Sequence, residues 1–382
     1  MLSICIISAF YPPHLGGVEV YTQNLGKSLA KKNNDVTIVT SQTQNEPLCE
    51  NDGEVEIVRI QSKGLLNDRF PIPLPTIQVK KQIEYLKSKK FDLVVINTRY
   101  YPICLIGLQI AKKSETTPLV VDHSSDYLRL SNPLFSVFAK QYEKKMTSLF
   151  LRNNAHFYAV SEKSSQWLQE FGITTYGLLP NAIDPALFRN SASKTNWSKS
   201  LKLSKNAFIV VYIGRLIKEK GIMETIHAIK SLNAFHYDIH LCIAGNGPLQ
   251  STIEKTQNSN IHYLGKLNSS DVSSLLRDSD VLCFPSNYPE GLPTIVLEAG
   301  AHKLGVIMSQ TGGTTDLIPS EEFGIVLNDT EIDSIANAIL CFYNNRNYMK
   351  SCGENLSQRI NTFFTWDSTA KKLLATIEQQ AL

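Results

Sequence analysis

Short apolar runs rich in β-branched residues recur along the whole chain and alternate with stretches of helical periodicity. Examples are Leu2–Ser8, Phe91–Asn97, Phe208–Gly214 and Val281–Pro285. Uninterrupted apolar runs of this length are typical of parallel strands buried on both faces. Two such series within 382 residues predict an α/β fold of two doubly wound, Rossmann-like domains with parallel sheets, facing each other across a cleft.

A polar segment between the two series marks the domain boundary. It begins near Asn181 and includes the stretch RNSASKTNWSKS before the next strand starts. We therefore expect an N-terminal domain over residues 1–182 and a C-terminal domain over residues 183–365. Residues 366–382 have the pattern of a helix that could pack on either domain, and so could cross back to the first.

Charge and cysteine content limit the partners and the compartment. The formal net charge of +3 gives no reason to expect a nucleic-acid partner. Seven cysteines without a CxxC pair or metal-like spacing fit a reducing compartment. The opening MLSICIISAFYPP lacks the basic region and cleavage site of a signal peptide, and no run approaches the roughly 20 apolar residues of a membrane span. These features predict a cytoplasmic protein.

One segment of the first half could lie on a membrane surface. Residues 133–152 mix large apolar side chains with Lys140, Lys144, Lys145 and Arg152, and lysine clusters recur elsewhere in the same half. A helix of this composition can bind an anionic membrane peripherally. The alternative is an ordinary helix docked on its own domain, and the sequence leaves both open.

The motif SNYPEGLPTIVLEAG, residues 286–300, directly follows a predicted strand. Pro293 suits the first position of a helix, which would leave the backbone N–H groups from Leu292 to Ile295 free to bind a diphosphate. Glu298 would lie about one turn inside that helix, within reach of ribose hydroxyls, and Glu290 would reach further out toward a sugar. The alternative is a helix that merely favours acidic residues in its first turn.

Three other motifs follow predicted strands of the second half. In IGRLIKEKG, Arg215 and Lys220 could hold a diphosphate and stabilise its departure, although each alone could be a surface cation. In AGNGPL, Gly245 and Gly247 permit close backbone approach to a ligand. TGGTTD, beginning at Thr311, indicates a similar backbone contact.

Two features of the first half have the same placement. Gly16 and Gly17 lie between the first strand and an amphipathic helix, where backbone N–H groups can meet a phosphate. His123 ends a strand, so it could donate or accept a hydrogen bond with a sugar hydroxyl, or it could be structural. His14 is interpreted as a loop residue rather than a catalyst.

Several catalytic signatures are missing. The chain has no HExxH, Walker-type phosphate loop, GxSxG or clustered His and Cys ligands, so we expect neither a metal nor another cofactor. The triplet Asp278-Ser279-Asp280 matches a DxD metal–nucleotide signature, but it precedes its strand, which predicts a structural role. The GxGxxG fingerprint of nicotinamide-dependent oxidoreductases is also missing.

Taken in order, these motifs resemble the GT-B glycosyltransferases of family 4, the large retaining group. The resemblance covers nearly the whole chain, from the Gly16-Gly17 loop through LPNAID to the second glycine pair. It implies the GT-B architecture, with an acceptor-binding N-terminal domain and a C-terminal domain that binds the nucleotide sugar. One departure is Ala182, where the family often has Gly; this weakens any role for Asn181.

The resemblance also implies roles for individual residues. The implied donor-binding set is Gly16, Gly17, Arg215, Lys220, Gly245, Gly247, Glu290, Gly291, Leu292, Pro293, Thr294, Ile295 and Glu298, and the implied catalytic set is Glu290, Arg215, Lys220 and His123. Arg215 and Lys220 would bind the diphosphate, and Glu298 would bind ribose. His123 would contact the donor sugar, and Glu290 would stabilise its reacting carbon without forming a covalent intermediate.

The implied reaction is the metal-independent, retaining transfer of a hexose-type sugar from a nucleotide-diphosphate sugar, UDP before GDP. The acceptor would be a saccharide or a lipid-linked molecule, and the reaction would belong to bacterial surface polysaccharide or glycoconjugate synthesis. In a front-face attack, the leaving phosphate would help to deprotonate the acceptor. The alternatives are a GT-B nucleotide-sugar epimerase, which should show a different acid/base set, and a non-catalytic nucleotide-sugar-binding partner of another transferase.

Overall fold

The computed structural model divides the chain into two compact units, residues 1–181 with 366–382, and residues 182–365. It describes residues 1–14, 16–66, 68–125, 127, 133–256, 258–288 and 291–380, without the side chains of residues 133–135 and 378–380. Each unit is built on one mainly parallel sheet, which confirms the predicted pair of parallel-sheet α/β domains.

The first unit begins with a strand and closes with the last helix of the chain. Its elements are β1 (Ser3–Ile7), α1 (Gly17–Ala30), β2 (Asp35–Gln42), β3 (Cys49–Asp52), β4 (Val55–Leu65), β5 (Phe70–Pro73), α2 (Ile77–Ser88), β6 (Leu93–Asn97), α3 (Cys104–Ser114), β7 (Leu119–Asp122), α4 (Pro133–Arg152), β8 (His156–Ala159), α5 (Glu162–Gln169), β9 (Gly177–Leu178) and, after the second unit, α15 (Trp366–Gln380). The strand order is β3-β4-β2-β1-β6-β7-β8-β9, with β5 paired to β4.

The central strands of this sheet are buried on both faces. In β1, Ile4 and Ile6 pack in the core that includes α1 and α15, whereas Cys5 and Ile7 pack in the core on the opposite face. The strand contributes to both buried cores because successive side chains point to opposite faces of the sheet. Cys5 is a free, buried thiol, as expected from its place in an apolar run.

The C-terminal helix α15 belongs to the first unit. The Trp366 ring lies 5.5 Å from that of Tyr21 on α1, and Asp367 pairs with Lys32. The Thr369 hydroxyl donates to the carbonyl of Pro180 at 3.2 Å. The chain therefore returns to its first sheet after completing the second unit.

Two edge strands were not predicted from the sequence. β3 is the polar, mostly exposed segment CEND, and β5 is the proline-containing segment FPIP. Both are antiparallel partners of β4. Neither carries the apolar run by which the buried parallel strands were recognised, because an edge strand needs to cover little of the core.

The second unit is a six-stranded parallel sheet with helices on both faces. Its elements are α6 (Pro185–Asn190), α7 (Trp197–Ser200), β10 (Phe208–Ile213), a 3-10 turn (Lys218–Lys220), α8 (Ile222–Ala234), β11 (Ile239–Ala244), α9 (Gln250–Glu254), β12 (Ile261–Tyr263), α10 (Ser269–Arg277), β13 (Val281–Phe284), α11 (Thr294–Ala301), β14 (Gly305–Ser309), α12 (Thr314–Leu317), a 3-10 turn (Glu321–Phe323), β15 (Ile325–Leu327), α13 (Ile332–Asn344) and α14 (Arg346–Phe363). The strand order is β12-β11-β10-β13-β14-β15.

The strands β10 and β13 are neighbours at the middle of this sheet, where the order along the chain reverses direction. Ligands of doubly wound sheets bind outside the carboxyl ends of strands at such a switch point. The loops that follow β10 and β13 therefore occupy the preferred position for a binding site. Among the described residues, no helix combines the length and the apolar character needed to cross a bilayer.

Candidate functional site

Four loops leave the sheet of the second unit at its carboxyl edge, after β10, β11, β13 and β14. The loops after β10 and β11 are bonded together, because Leu216 N–H donates to the carbonyl of Asn246 at 2.9 Å and Leu249 N–H donates to the carbonyl of Leu216 at 3.0 Å. Gly245 permits this approach, since its φ is +145° and a Cβ there would lie 1.9 Å from the carbonyl oxygen of Gly214. Packing of the two loops therefore requires glycine at position 245, apart from any ligand.

Lys220 ends the 3-10 turn that follows β10. Its ammonium nitrogen lies 5.0 Å from the centroid of the Phe284 ring and 5.3 Å from that of Tyr288, and the residue is 9% exposed. Aromatic faces attract a cation electrostatically and shield it from water. Lys220 is therefore not the surface cation that the sequence left open, because β13 brings Phe284 against it.

The loops after β10 and β13 also touch through their backbones. Gly221 has φ +70°, and a Cβ there would lie 2.2 Å from the carbonyl oxygen of Pro285. Asn287 N–H donates to the carbonyl of Glu219 at 2.7 Å. The fold therefore joins two motifs, IGRLIKEKG and SNYPEGLPTIVLEAG, that are about 70 residues apart in the sequence.

Arg215 is exposed and lies directly beyond the end of β10. The Tyr212 hydroxyl donates to the Arg215 carbonyl at 3.2 Å, which holds the backbone beneath the guanidinium. That guanidinium makes no ion pair or hydrogen bond with the parts of the chain that the structure describes. Its donors are therefore available to an anion.

The helix α11 begins one residue later than the sequence predicted. Pro293 is its N-cap, with φ −71° and ψ 113°, and Thr294 is the first helical residue. The first N–H groups of a helix have no acceptor within it, so those of Thr294 and Ile295 can bind a ligand. Glu290 lies outside the described residues, and its predicted role is untested.

Glu298 lies one turn inside α11, as predicted from the sequence. Burial raises the pKa of its carboxyl to about 7. Within the described ranges, the carboxyl has neither a hydrogen-bond donor nor a cation as partner. A shielded carboxyl without a partner gains most from a ligand that brings hydrogen-bond donors, because those donors stabilise its charged form.

The loop after β14 packs against the residues that precede α11. A Cβ on Gly313 would lie 2.5 Å from the Leu292 side chain and 3.0 Å from the Gly291 carbonyl oxygen. The hydroxyl of Thr311 is buried and has no partner among the described residues. TGGTTD therefore borders the same loop as the glutamate-containing motif, as its position after a strand suggested.

The first unit places Gly16 and Gly17 at the start of α1, with Gly16 as the N-cap. Glu19 folds back over this end, since a Cβ on Gly16 would lie 2.3 Å from its Oε2. Its Oε1 lies 2.9 Å from Nδ1 of His14, and the Glu19 side chain is buried. This pair was not predicted from the sequence; the available signal was a glutamate three residues after the N-cap, the spacing of a capping box.

His123 follows β7 directly, at the carboxyl edge of the first sheet. Its Nε2 lies 3.3 Å from Oδ1 of Asn97, and the Tyr21 ring meets its ring edge-on at 4.7 Å. Burial lowers the pKa of His123 to about 4, so the imidazole is neutral at pH 7. Asn97 and Tyr21 were not predicted as site residues, although Asn97 ends a predicted strand.

A buried ionic network lies beside His123. Arg99 is fully buried and pairs with Asp122, the residue before His123, and with Glu143 of α4 at 2.7 Å. Its Nε donates to the Thr147 hydroxyl at 3.0 Å. An arginine in this environment needs both carboxylates and full hydrogen bonding to offset its lost hydration. The network therefore joins α4 to the strand ends that carry His123.

The DxD triplet has the structural role that its position predicted. Asp278 accepts a hydrogen bond from Trp197 N–H at 2.8 Å and pairs with Arg277. Asp280 accepts from Ile209 N–H at 2.8 Å and pairs with Arg346. Both carboxylates lie at the amino ends of the strands, away from the carboxyl-edge loops.

The structure thus separates the predicted site residues into two sets. The second unit brings together Arg215, Lys220, Gly245, Gly247, Gly291, Leu292, Pro293, Thr294, Ile295 and Glu298 at one sheet edge. Gly16, Gly17 and His123 belong to the first unit.

Family models identify both parts of the chain. Residues 15–187 match the model of Glycosyltransferase Family 4, and residues 193–359 match that of Glycosyl transferases group 1. The chain is a GT-B glycosyltransferase of family 4. Together the two models leave out residues 1–14, 188–192 and 360–382 of the glycosyltransferase.

The glycosyltransferase has distant relatives of the same length. It is 23% identical over 393 residues to an uncharacterized glycosyltransferase of Methanocaldococcus jannaschii, with 99% of this chain and 98% of the relative covered. It is 25% identical to the capsular polysaccharide biosynthesis glycosyltransferase CapM of Staphylococcus aureus, with 88% of each chain covered.

Solved structures share the fold of the glycosyltransferase. Sucrose-phosphate synthase from Thermosynechococcus elongatus superposes with a TM-score of 0.76 at 21% identity, covering 100% of this chain and 99% of that one. Anabaena HepE in complex with UDP and glucose gives a TM-score of 0.70 at 16% identity, covering 99% and 100%.

Proposed function

We propose that this glycosyltransferase transfers a hexose-type sugar from a nucleotide-diphosphate sugar to a saccharide or lipid-linked acceptor, without a metal and with retention of the anomeric configuration. The observation that carries the proposal is the carboxyl edge of the second sheet. There Arg215 and Lys220 follow β10, and the carboxyl of Glu298, without a partner in the described part of the chain, lies on the helix after the neighbouring β13. UDP is the favoured nucleotide because the similar HepE structure contains UDP; GDP is the next candidate.

The diphosphate is assigned to the two cations and the start of α11. When the bond between the anomeric carbon and the phosphate oxygen breaks, negative charge develops on the leaving diphosphate. The guanidinium of Arg215, the ammonium of Lys220 and the first N–H groups of α11 are donors that would stabilise this charge, and the last two are held in place before it develops. In other enzymes a divalent metal supplies the same stabilisation.

The ribose is assigned to Glu298. Its carboxyl is shielded from water and has no partner among the described residues, so two hydroxyls of a ribose would supply the donors it lacks. Binding would then favour the ionised carboxylate. The affinity for a nucleotide should therefore depend on pH near the pKa of this group.

The donor sugar is assigned to residues that rest on the family resemblance. Glu290, outside the described residues, would stabilise the reacting carbon, and His123 would hydrogen bond to a sugar hydroxyl. Gly16 and Gly17 would approach the donor through their backbone. In a front-face reaction the departing phosphate takes the acceptor proton, so none of these residues needs to act as a covalent nucleophile.

We also propose that the enzyme works at the cytoplasmic face of a membrane, bound peripherally by its first unit. Phe138 on α4 is 71% exposed, and Leu66 at the tip of the β4–β5 hairpin is 57% exposed. The hairpin and α4 are adjacent, since the Phe70 and Tyr142 rings lie 5.8 Å apart. The exposed cations on the same hairpin and helix are Lys63, Arg69, Lys140, Lys144 and Lys145. Exposed apolar side chains and cations on adjacent elements suit an anionic lipid surface.

This location would bring the enzyme to a lipid-linked acceptor, as in the assembly of a bacterial surface polysaccharide or glycoconjugate. The similarity to CapM, a capsular polysaccharide glycosyltransferase, supports such a pathway.

The test is an incubation of the purified protein with UDP- and GDP-sugars, a membrane lipid extract and EDTA, with released nucleotide and product analysed. We expect acceptor-dependent release of one nucleotide in EDTA and a product linkage with the configuration of the donor. An inverted linkage, or activity that magnesium alone restores, would contradict the proposal. Conversion of the nucleotide sugar without nucleotide release would indicate an epimerase instead.

A further inference from the structure

Two buried side chains, Thr22 and Asn97, connect helix α1 to His123 through hydrogen bonds. The Thr22 hydroxyl oxygen lies 2.7 Å from the carbonyl oxygen of Val18, one turn earlier on α1. Nδ2 of Asn97, the last residue of β6, lies 2.8 Å from the same hydroxyl oxygen. Oδ1 of Asn97 lies 3.3 Å from Nε2 of His123. Thr22 and Asn97 are fully buried, so water does not compete for these bonds.

The direction of each hydrogen bond follows from the first. A carbonyl oxygen only accepts, so the proton of the Thr22 hydroxyl points to Val18. The hydroxyl oxygen can then only accept from Asn97, which must turn its NH₂ group toward Thr22 and its carbonyl oxygen toward His123. Since that oxygen also only accepts, Nε2 of His123 must carry a proton.

The surroundings of His123 leave its ring neutral, because burial outweighs the opposing effect of the Asp122 carboxylate on its pKa. The neighbouring carboxylate of Asp122 is paired with Arg99, which also binds Glu143, and Tyr21 presents the edge of its ring. Burial lowers the pKa of His123, so no second proton is bound at neutral pH. Nδ1 is then a lone-pair acceptor, and it has no partner among the described residues.

We propose that Asn97 is a positioning residue which, oriented by Thr22, fixes His123 as the neutral Nε2–H tautomer and leaves Nδ1 to accept a hydrogen bond from a hydroxyl of the donor sugar. This assignment rests on the proposed function only for the identity of the sugar. It names a requirement on the substrate, because the group facing Nδ1 must be able to donate. A donor sugar deoxygenated or methylated at that position would lose the bond.

The tautomer can be measured without any nucleotide sugar. Long-range ¹H–¹⁵N correlation spectra of protein labelled with ¹⁵N-histidine distinguish the two ring nitrogens, and H123Q identifies the His123 signals by their loss. We expect a protonated Nε2 and an unprotonated Nδ1 throughout pH 6–8 in the wild-type spectrum. A protonated Nδ1 of His123, or an equal mixture of its tautomers, would overturn the assignment, and this readout needs only the wild type and a folded H123Q.

The pair T22V and T22S tests whether the chain of hydrogen bonds is the cause. T22V keeps the side-chain shape but removes the hydroxyl. The Asn97 side-chain amide can then adopt either orientation, so His123 should populate both tautomers. T22S should restore the wild-type spectrum. If donor turnover is present, T22V should lower kcat about two- to tenfold with little change in the affinity for free UDP, the effect of one neutral hydrogen bond.

The two hypotheses fail separately. A wild-type Nε2–H tautomer with no turnover of any nucleotide sugar would reject the proposed function and leave the positioning role of Asn97 intact. Turnover with identical His123 spectra in T22V and T22S would reject the positioning role and leave the transferase function intact.

Discussion

The ammonium nitrogen of Lys220 lies 5.0 Å from the centroid of the Phe284 ring. A cation in the loop after β10 therefore contacts the last residue of the neighbouring strand β13. The contact joins the loop after β10 to β13 and partly dehydrates the cation. A cation held in this way interacts more strongly with an anion than a fully hydrated one does. Lys220 therefore has both a structural and an electrostatic role.

K220A should affect turnover and stability together. Loss of a preorganised cation at the leaving group is expected to lower kcat about 10²–10³-fold. Because the Lys220 stem is buried, the same change should lower the free energy of unfolding by about 1–2 kcal/mol. Steady-state kinetics and urea denaturation measure the two effects. The matched control K220M keeps the buried stem, so it should recover most of the stability and none of the turnover; full turnover in K220M would reject the assignment.

E298Q should stabilise the protein in a pH-dependent way. Below about pH 4.5 the carboxyl is protonated in both folded and unfolded chains, so the variant and the wild type should match. Between pH 4.5 and 7 the unfolded chain loses this proton while the folded chain keeps it, so the wild type loses stability relative to E298Q. Above pH 7 the difference should level off on the order of 3 kcal/mol. Urea denaturation at several pH values checks this, with E322Q at an exposed site as the control.

The same variant should weaken nucleotide binding. If ribose hydroxyls donate to Glu298, the wild-type affinity for UDP should rise with pH through about 7, because the ionised carboxylate is the better acceptor. E298Q should bind more weakly and lack this rise. Calorimetric titration of both proteins at matched pH removes the contribution of the phosphate's own ionisation. Parallel pH profiles for the two proteins would argue against a ribose contact.

E290Q should lower the rate more than the affinity for the nucleotide. The prediction rests on the family resemblance of the EGLPTIVLE motif, in which Glu290 acts on the sugar and the diphosphate is held by other groups. Kinetics should show a large fall in kcat, and calorimetry with UDP a nearly unchanged dissociation constant. Equal losses in rate and nucleotide affinity would place Glu290 at the nucleotide instead.

The double variant F138S/L66S should bind anionic vesicles more weakly. Both side chains are exposed and apolar, and they lie on the adjacent α4 and β4–β5 hairpin. Co-sedimentation with vesicles containing phosphatidylglycerol should show clear loss of binding, whereas F235S, an exposed apolar position in the second unit, should bind like the wild type. A wild-type protein that does not co-sediment with anionic vesicles at low salt would contradict the membrane proposal.

The parallel strands and the loops after them could be predicted from the sequence because each depends on local pattern. An apolar run such as Phe208–Ile213 marks a buried strand, and in a parallel sheet every strand end lies at the same edge. Arg215 and Glu298 were therefore placed correctly at that edge without any knowledge of the contacts between their loops.

What could not be predicted depends on contacts between distant residues. Lys220 is buried only because β13 lies next to β10 and ends in Phe284, 64 positions away. The Arg99 network requires Asp122 and Glu143, which lie on a different strand and a helix. Asn97 orients His123 only through its contact with α1. Strand order and side-chain direction set these contacts, and neither is encoded in a local motif.

The most direct test of the account is a thermal-shift comparison of the wild type and R215A with UDP, GDP, ADP and CMP, with and without EDTA. A ligand bound only by the folded protein at about 100 times its dissociation constant adds roughly 2.7 kcal/mol of stability, which is readily seen as a rise in Tm. We expect a clear rise in Tm with UDP or GDP that survives EDTA and is greatly reduced in R215A. No rise with any diphosphate, or an equal rise in R215A, would contradict a diphosphate site at the carboxyl edge of the second sheet.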